Sequence, residues 1–200
     1  MIKAIIFDLG GVIINIDKLL KNWNKIFKIK DKEKFWREIN YEMIPLCKGE
    51  INETQFWKNV ANRFKVDYNK IPKNFLDKDF KKSITFNKEL LRLVSILKRK
   101  YKIGVISNII GSHSKINRSL GLYDHFHHLV LSFEVKMTKD SAEIFKLAAQ
   151  RMNVKPKECI FIDDIGKFVS VAESAGMSAI LFKDNKQLKS ELERLLSTKL

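Results

Sequence analysis

The chain has 200 residues, 45% of them apolar and 10% aromatic, which suits a folded core with room for a small accessory module. Its formal net charge is +15, but the lysines are spread along the whole chain without an Arg-rich stripe. Nucleic acid is therefore not the expected partner, and the positive field reads as one that steers small anions toward a site. No apolar run approaches the ~20 residues of a membrane span, and no cleavable leader is recognisable. Two distant cysteines, Cys47 and Cys159, fit no metal spacing and suggest a reduced, cytoplasmic protein with no membrane partner.

The first predicted strand, residues 4–7, stops on Asp8 and is followed by Leu9-Gly10-Gly11-Val12. The stretch that follows is too long for one crossover helix. Residues 16–85 are expected to form an inserted helical module, with helices over 17–28, 31–44, 53–64 and 74–81. Trp23, Trp36 and Trp57 all fall in this module, where a small bundle needs large side chains for its own core. Beyond it, helical periodicity covers 87–100, 141–152, 169–175 and 186–196. Strands are expected at 103–106, 128–131, 159–162 and 179–182. Apart from 128–131, which opens awkwardly on His128, these runs are continuous instead of alternating, as in parallel strands covered on both faces. The alternation predicts a doubly wound α/β parallel-sheet core of Rossmann-like type, formed by residues 1–15 and 86–200, with the inserted α-helical module between.

Three predicted strands end on chemistry-bearing residues: Asp8, then Ser107-Asn108, then Asp163-Asp164. Adjacent strands lie about 4.8 Å apart, so these groups can meet at one carboxyl edge of the sheet, where ligands bind in open α/β sheets. Each has an ordinary alternative, since Ser-Asn suits turns and Asp-Asp can cap a helix. Clustered carboxylates repel, and a hard cation held by oxygen ligands resolves that repulsion. Lys139 can supply a fixed positive charge near the same edge.

At these residues the chain resembles the haloacid dehalogenase-like (HAD) superfamily. Its four motifs match Ile6-Phe7-Asp8-Leu9-Gly10-Gly11-Val12, Val105-Ile106-Ser107-Asn108, Met137-Thr138-Lys139 and Phe161-Ile162-Asp163-Asp164, in order and along nearly the whole chain. The insert looks like the helical cap of subclass I. Lys48-Gly49-Glu50-Ile51 and Ile162-Asp163-Asp164-Ile165-Gly166 look like the N-terminal phosphatase domain of soluble epoxide hydrolase. The Asp-Leu-Gly start is also similar to bacterial α-glucose-1-phosphate phosphatase. The resemblance implies a Mg²⁺-dependent phosphatase of a small phosphorylated substrate, active as a monomer or homodimer. Asp8 would be the nucleophile. Mg²⁺ would be held by Asp8, the Gly10 carbonyl and Asp164, with Asp163 in support. Ser107, Asn108 and Lys139 would hold the phosphoryl oxygens.

Three positions depart from the family pattern. Gly10 stands where its phosphatases usually carry an acid–base Asp, which implies reduced turnover or a preference for good leaving groups. Asp140 replaces the usual Pro after the motif lysine, and Phe168 replaces a polar residue. Asn15 and Asp17 are candidates for touching substrate or replacing the missing acid, although Asp17 reads more simply as a helix N-cap. Glu50 could lie over the site or in a solvated turn. The tract His125, His127 and His128 is expected to lie away from the reactive edge, and Cys159 to be a small core residue. Two rivals stand beside the phosphatase: a 2-haloacid dehalogenase, disfavoured by the acidic pair, and a HAD-like protein that binds phosphate without turning it over.

Overall fold

A computed structural model describes residues 1–16, 18, 23 and 26–200, with the main chain alone at 32, 33 and 36. Much of the expected helix over 17–28, the Asp17 cap and the Trp36 side chain lie outside the described residues.

Five parallel strands form the central sheet: β1 (Ala4–Phe7), β4 (Lys102–Ser107), β5 (His128–Leu131), β6 (Cys159–Asp163) and β7 (Ser178–Leu181). Their order across the sheet is β5-β4-β1-β6-β7, which puts β1 at the centre. Strand β1 is buried on both sides, and successive side chains serve opposite cores. Ile5 and Phe7 join Leu90 and Val94 of α4 (Lys88–Leu97) and Leu188 and Leu192 of α9 (Asn185–Leu196). Ala4 and Ile6 join Ile144, Phe145 and Ala148 of α7 (Ala142–Arg151) and Ala172 of α8 (Gly166–Ser174). Helices on both faces of a parallel sheet make the doubly wound α/β fold that the strand–helix alternation predicts. Each fully buried Leu, Ile, Val or Phe side chain among these contributes roughly 1.5–3 kcal/mol of transfer free energy.

After β1, Ile13 and Ile14 donate to the Leu9 carbonyl at 2.9 and 2.7 Å, and Gly11 donates to Ile14 at 2.8 Å. This tight turn sends the chain into β2 (Ile14–Asn15), which pairs antiparallel with β3 (Thr85–Phe86). Between the two strands lie α1 (Lys32–Cys47), α2 (Glu53–Phe64) and α3 (Phe75–Ser83). Asp31 and Asn52 cap the first two by accepting from Lys34 and Gln55. The insert has its own core, in which Trp23, Phe27, Phe35, Phe56, Trp57 and Phe75 are all buried. Arg63 of α2 donates to Glu38 and Glu42 of α1 at 2.7 Å each, joining the two helices. Among the described residues, no helix is long and apolar enough to cross a membrane.

Several elements differ from the expected pattern. Helix α1 runs three residues past Ile44, through Pro45. Proline removes only its own amide there, and its carbonyl accepts from Glu50 at 2.9 Å. Helix α8 begins at Gly166, three residues early, because Asp163 Oδ1 accepts the Ile165 amide at 2.8 Å just before it. Strand β7 lies one residue earlier than expected, although Phe182 still donates to the Asp163 carbonyl at 2.8 Å. Helix α5 (Gly111–Ser119) had no apolar stripe to announce it. Its buried positions are Ser114 and Asn117, and Tyr123 donates to the Ser114 hydroxyl at 3.0 Å. A single turn, α6 (Ser132–Val135), follows β5.

Candidate active site

Asp8 extends the β1–β6 ladder, its amide donating to Ile162 at 2.9 Å, so its side chain leaves the sheet beside Asp163 at the end of β6. The carboxylate oxygens of Asp8, Asp163 and Asp164 include one from each that lie within 4.8 Å of one another. Asp8 and Asp163 are buried and Asp164 is exposed. Lys139 is buried with them, 2.7 Å from Asp8 Oδ1 and 2.6 Å from Asp163 Oδ2. Its ammonium lies 4.6 Å from the centroid of the Phe168 ring, a cation–π contact in a site largely screened from water. The departure at Phe168 thus gives the lysine an aromatic floor.

Burial pushes the Asp8 carboxyl up to about 7; Lys139 pulls it down, and the neighbouring Asp163 and Asp164 carboxylates push it up again. Asp164 is raised to about 6, first by burial and then by Asp163. Burial disfavours the charged form of Lys139, but Asp8 and Asp163 together outweigh it and hold the ammonium above its ordinary value. Three carboxyls against one ammonium leave the cluster short of positive charge. An all-oxygen donor set with two carboxyls already lifted is chemically suited to a hard divalent cation.

The glycines after Asp8 have different surroundings. A Cβ at Gly10 would meet nothing within 4 Å, whereas Gly11 adopts φ +86° and its Cβ would fall 2.1 Å from Asp164 Oδ2. Gly11 is therefore the residue that lets Asp164 sit against the turn.

Asp8, Gly10, Ser107, Asn108 and Lys139 line one cavity of about 330 Å³. Its opposite wall comes from α1 through Asn40, Met43, Ile44 and Cys47, residues that no local pattern had distinguished. Asn108 Oδ1 accepts the Lys139 amide at 2.9 Å, which fixes the lysine's backbone to the loop after β4. Asp140 pairs with Lys167 at the cavity mouth instead of disturbing Lys139. Asp164 opens on a second groove with Gly11 and Asn15. Burial pushes the Cys47 thiol up to about 12, so it is neutral in the cavity wall.

The remaining candidates lie elsewhere. Glu50 is an exposed partner of Lys48 at 3.8 Å and does not line the cavity. His127 Nδ1 accepts the Ile103 amide at 3.0 Å, and His128 opens β5 at the amino end of the sheet. Cys159 is fully buried in the core.

The profile of the haloacid dehalogenase-like hydrolases matches residues 2–176. Bifunctional epoxide hydrolase 2 of Sus scrofa is 26% identical over 220 residues, which cover all of this chain and 40% of that protein. Glyceraldehyde 3-phosphate phosphatase of Methanopyrus kandleri is 30% identical over 97 residues, 47% of this chain and 41% of the relative. The chain therefore spans less than half the length of either relative. A HAD family enzyme of Bacteroides thetaiotaomicron, solved with magnesium and inorganic phosphate, superposes with a TM-score of 0.70 at 26% identity, covering 94% of this chain and 99% of that one. With a profile match over most of its length, the chain belongs to the haloacid dehalogenase-like hydrolases.

Proposed function

We propose that the protein is a Mg²⁺-dependent phosphatase of a small phosphorylated metabolite, acting through an aspartyl-phosphate on Asp8. The single observation that carries the reading is Asp8 itself. It is a buried carboxylate held 2.7 Å from Lys139 at the wall of a cavity shared with Ser107 and Asn108. The magnesium–phosphate complex of the Bacteroides relative supports the same chemistry.

In this reading the core comprises residues 1–15 and 86–200, and residues 16–85 cap the cavity and select the substrate. Asp8, the Gly10 carbonyl and Asp164 would hold Mg²⁺, with Asp163 in support, and the ion would neutralise charge on the transferring phosphoryl oxygens. An Asp8 oxygen attacks phosphorus as the bond to the leaving oxygen breaks. Water then attacks the same phosphorus, the bond to Asp8 breaks, and inorganic phosphate and the free carboxylate result. Ser107, the Asn108 backbone and Lys139 bind and orient the phosphoryl oxygens throughout, which is most of what phosphoryl transfer requires. Asp163 holds Lys139 in place through its Oδ2 while its Oδ1 anchors the start of α8.

Gly10 offers no side chain to protonate the leaving oxygen, so substrates whose leaving group departs unaided are favoured. Two free, buried thiols suit cytoplasmic residence. Steady-state hydrolysis of p-nitrophenyl phosphate and a phosphate-ester panel with Mg²⁺ tests the proposal. Asp8→Asn should abolish turnover, and an absence of Asp8-dependent hydrolysis across the panel would leave a phosphate binder in its place.

A further inference from the structure

Ser132 is fully buried between the sheet and the helical insert, at the first position of α6. Its hydroxyl accepts the Ile109 amide at 2.9 Å. It can donate to two carbonyls, that of Cys47 at 2.8 Å and that of Ile109 at 3.1 Å. A hydroxyl has one proton to give, so the two acceptors compete for it. Cys47 closes α1, where helix carbonyls have no partner within the helix. Ile109 follows Asn108 directly, and Asn108 in turn fixes the Lys139 backbone. The next residue, Ile110, is buried within the aromatic core of the insert.

We propose that Ser132 is a positioning residue that joins the loop after β4 to the insert, so that phosphate binding and the seating of α1 over the cavity favour each other. The inference rests on the reading of Ser107 and Asn108 as phosphate-holding groups. With α1 seated, the proton goes to Cys47 and the oxygen lone pair orients the Ile109 amide. With α1 displaced, the nearby Ile109 carbonyl takes the proton, and the peptide plane after Asn108 is no longer held from the insert side. Coupling of this kind is reciprocal: whatever seating contributes to phosphate affinity, phosphate returns to seating.

Calorimetric binding of inorganic phosphate in Mg²⁺, together with amide hydrogen exchange over residues 43–51, tests this on the full chain. Wild type should bind phosphate and exchange more slowly over 43–51 when it does. Ser132→Ala should bind about five- to tenfold more weakly and lose the phosphate-dependent slowing. Ser132→Cys, which keeps only a weak donor and acceptor, should fall between them. A purely structural hydroxyl would lower the melting temperature and leave phosphate affinity and slowing intact. That result, in the alanine variant or in the cysteine variant if alanine fails to fold, overturns the proposal. Phosphate binding by wild type without slowing over 43–51 overturns the coupling alone. No phosphate binding by wild type overturns the phosphate-site reading and the coupling together.

Discussion

Gly11 and Asp164 occupy one space between them: a Cβ on Gly11 would stand 2.1 Å from Asp164 Oδ2, and the Gly11 backbone is left-handed at φ +86°. Gly11→Ala therefore combines a strained backbone, worth roughly 1–2 kcal/mol, with displacement of Asp164 from the acidic cluster. Stability should fall by about that amount in urea unfolding. Mg²⁺ or Mn²⁺ affinity by calorimetry should drop by at least about tenfold, the loss expected when a carboxylate contact worth roughly 1.4 kcal/mol disappears. Wild-type cation affinity in this variant would count against Asp164 as a ligand.

The neighbouring glycine predicts the opposite outcome. Space around a Gly10 Cβ is open and the residue lines the cavity, so Gly10→Asp can be accommodated. A positioned general acid–base contributes about 10²–10⁴-fold. Turnover of alkyl phosphates should rise by a sizeable part of that range, and turnover of aryl phosphates by less. Equal, unchanged rates on both classes would show that leaving-group protonation does not limit this enzyme.

Lys139 neutralises two buried carboxylates at once. Breaking a buried pair by removing one partner typically costs about 3–5 kcal/mol, so Lys139→Met should lose stability on that scale and lose phosphatase turnover. Adding Asp163→Asn removes one of the stranded charges and should recover part of the stability without recovering activity. Chemical denaturation of the single and double variants separates the two effects, and full stability in the single variant would refute the charge argument.

His113 predicts an acid limb to stability. Its ring stacks on Phe80 at 3.8 Å between centroids, and its Nε2 lies 3.8 Å from Asp77 Oδ1. Burial lowers it from 6.5 to about 4, against the opposing pull of Asp77 and the Leu76 carbonyl. The folded state thus resists a proton that the unfolded chain accepts. The neutral ring's contribution is complete above pH 6.5 and is lost as the pH falls toward about 4. By pH 5 the loss from this residue is about 2 kcal/mol. His113→Phe keeps the stack and removes the titration. Urea unfolding at pH 7 and pH 5 should show a smaller pH effect in the variant by about that amount.

Much of the fold was legible because buried parallel strands read as uninterrupted apolar runs. Strands β1 and β5 match their expected bounds, and β4 and β6 extend the expected runs by one residue at one or both ends. Helix α2 also matches, its Asn52 cap and amphipathic face both lying within a dozen residues of chain. Helix α5 was hidden because its buried positions are a serine and an asparagine, with the Ser114 hydroxyl accepting from Tyr123. Helix α1 ends three residues beyond the expected 44, where the carbonyl of Cys47 finds its partner in Ser132, 85 residues away.

The sequence by itself determined which residue types end the strands, and so which carboxylates, hydroxyl and lysine could meet at one edge of a sheet. Only the tertiary structure decided their partners. It set Lys139 between Asp8 and Asp163 and over Phe168, lodged Asp164 against a glycine without a side chain, and left Gly10 facing open space. Strand and helix periodicity is a property of neighbouring residues, whereas these relationships depend on distances across the fold between residues far apart in the chain. No local pattern encodes them.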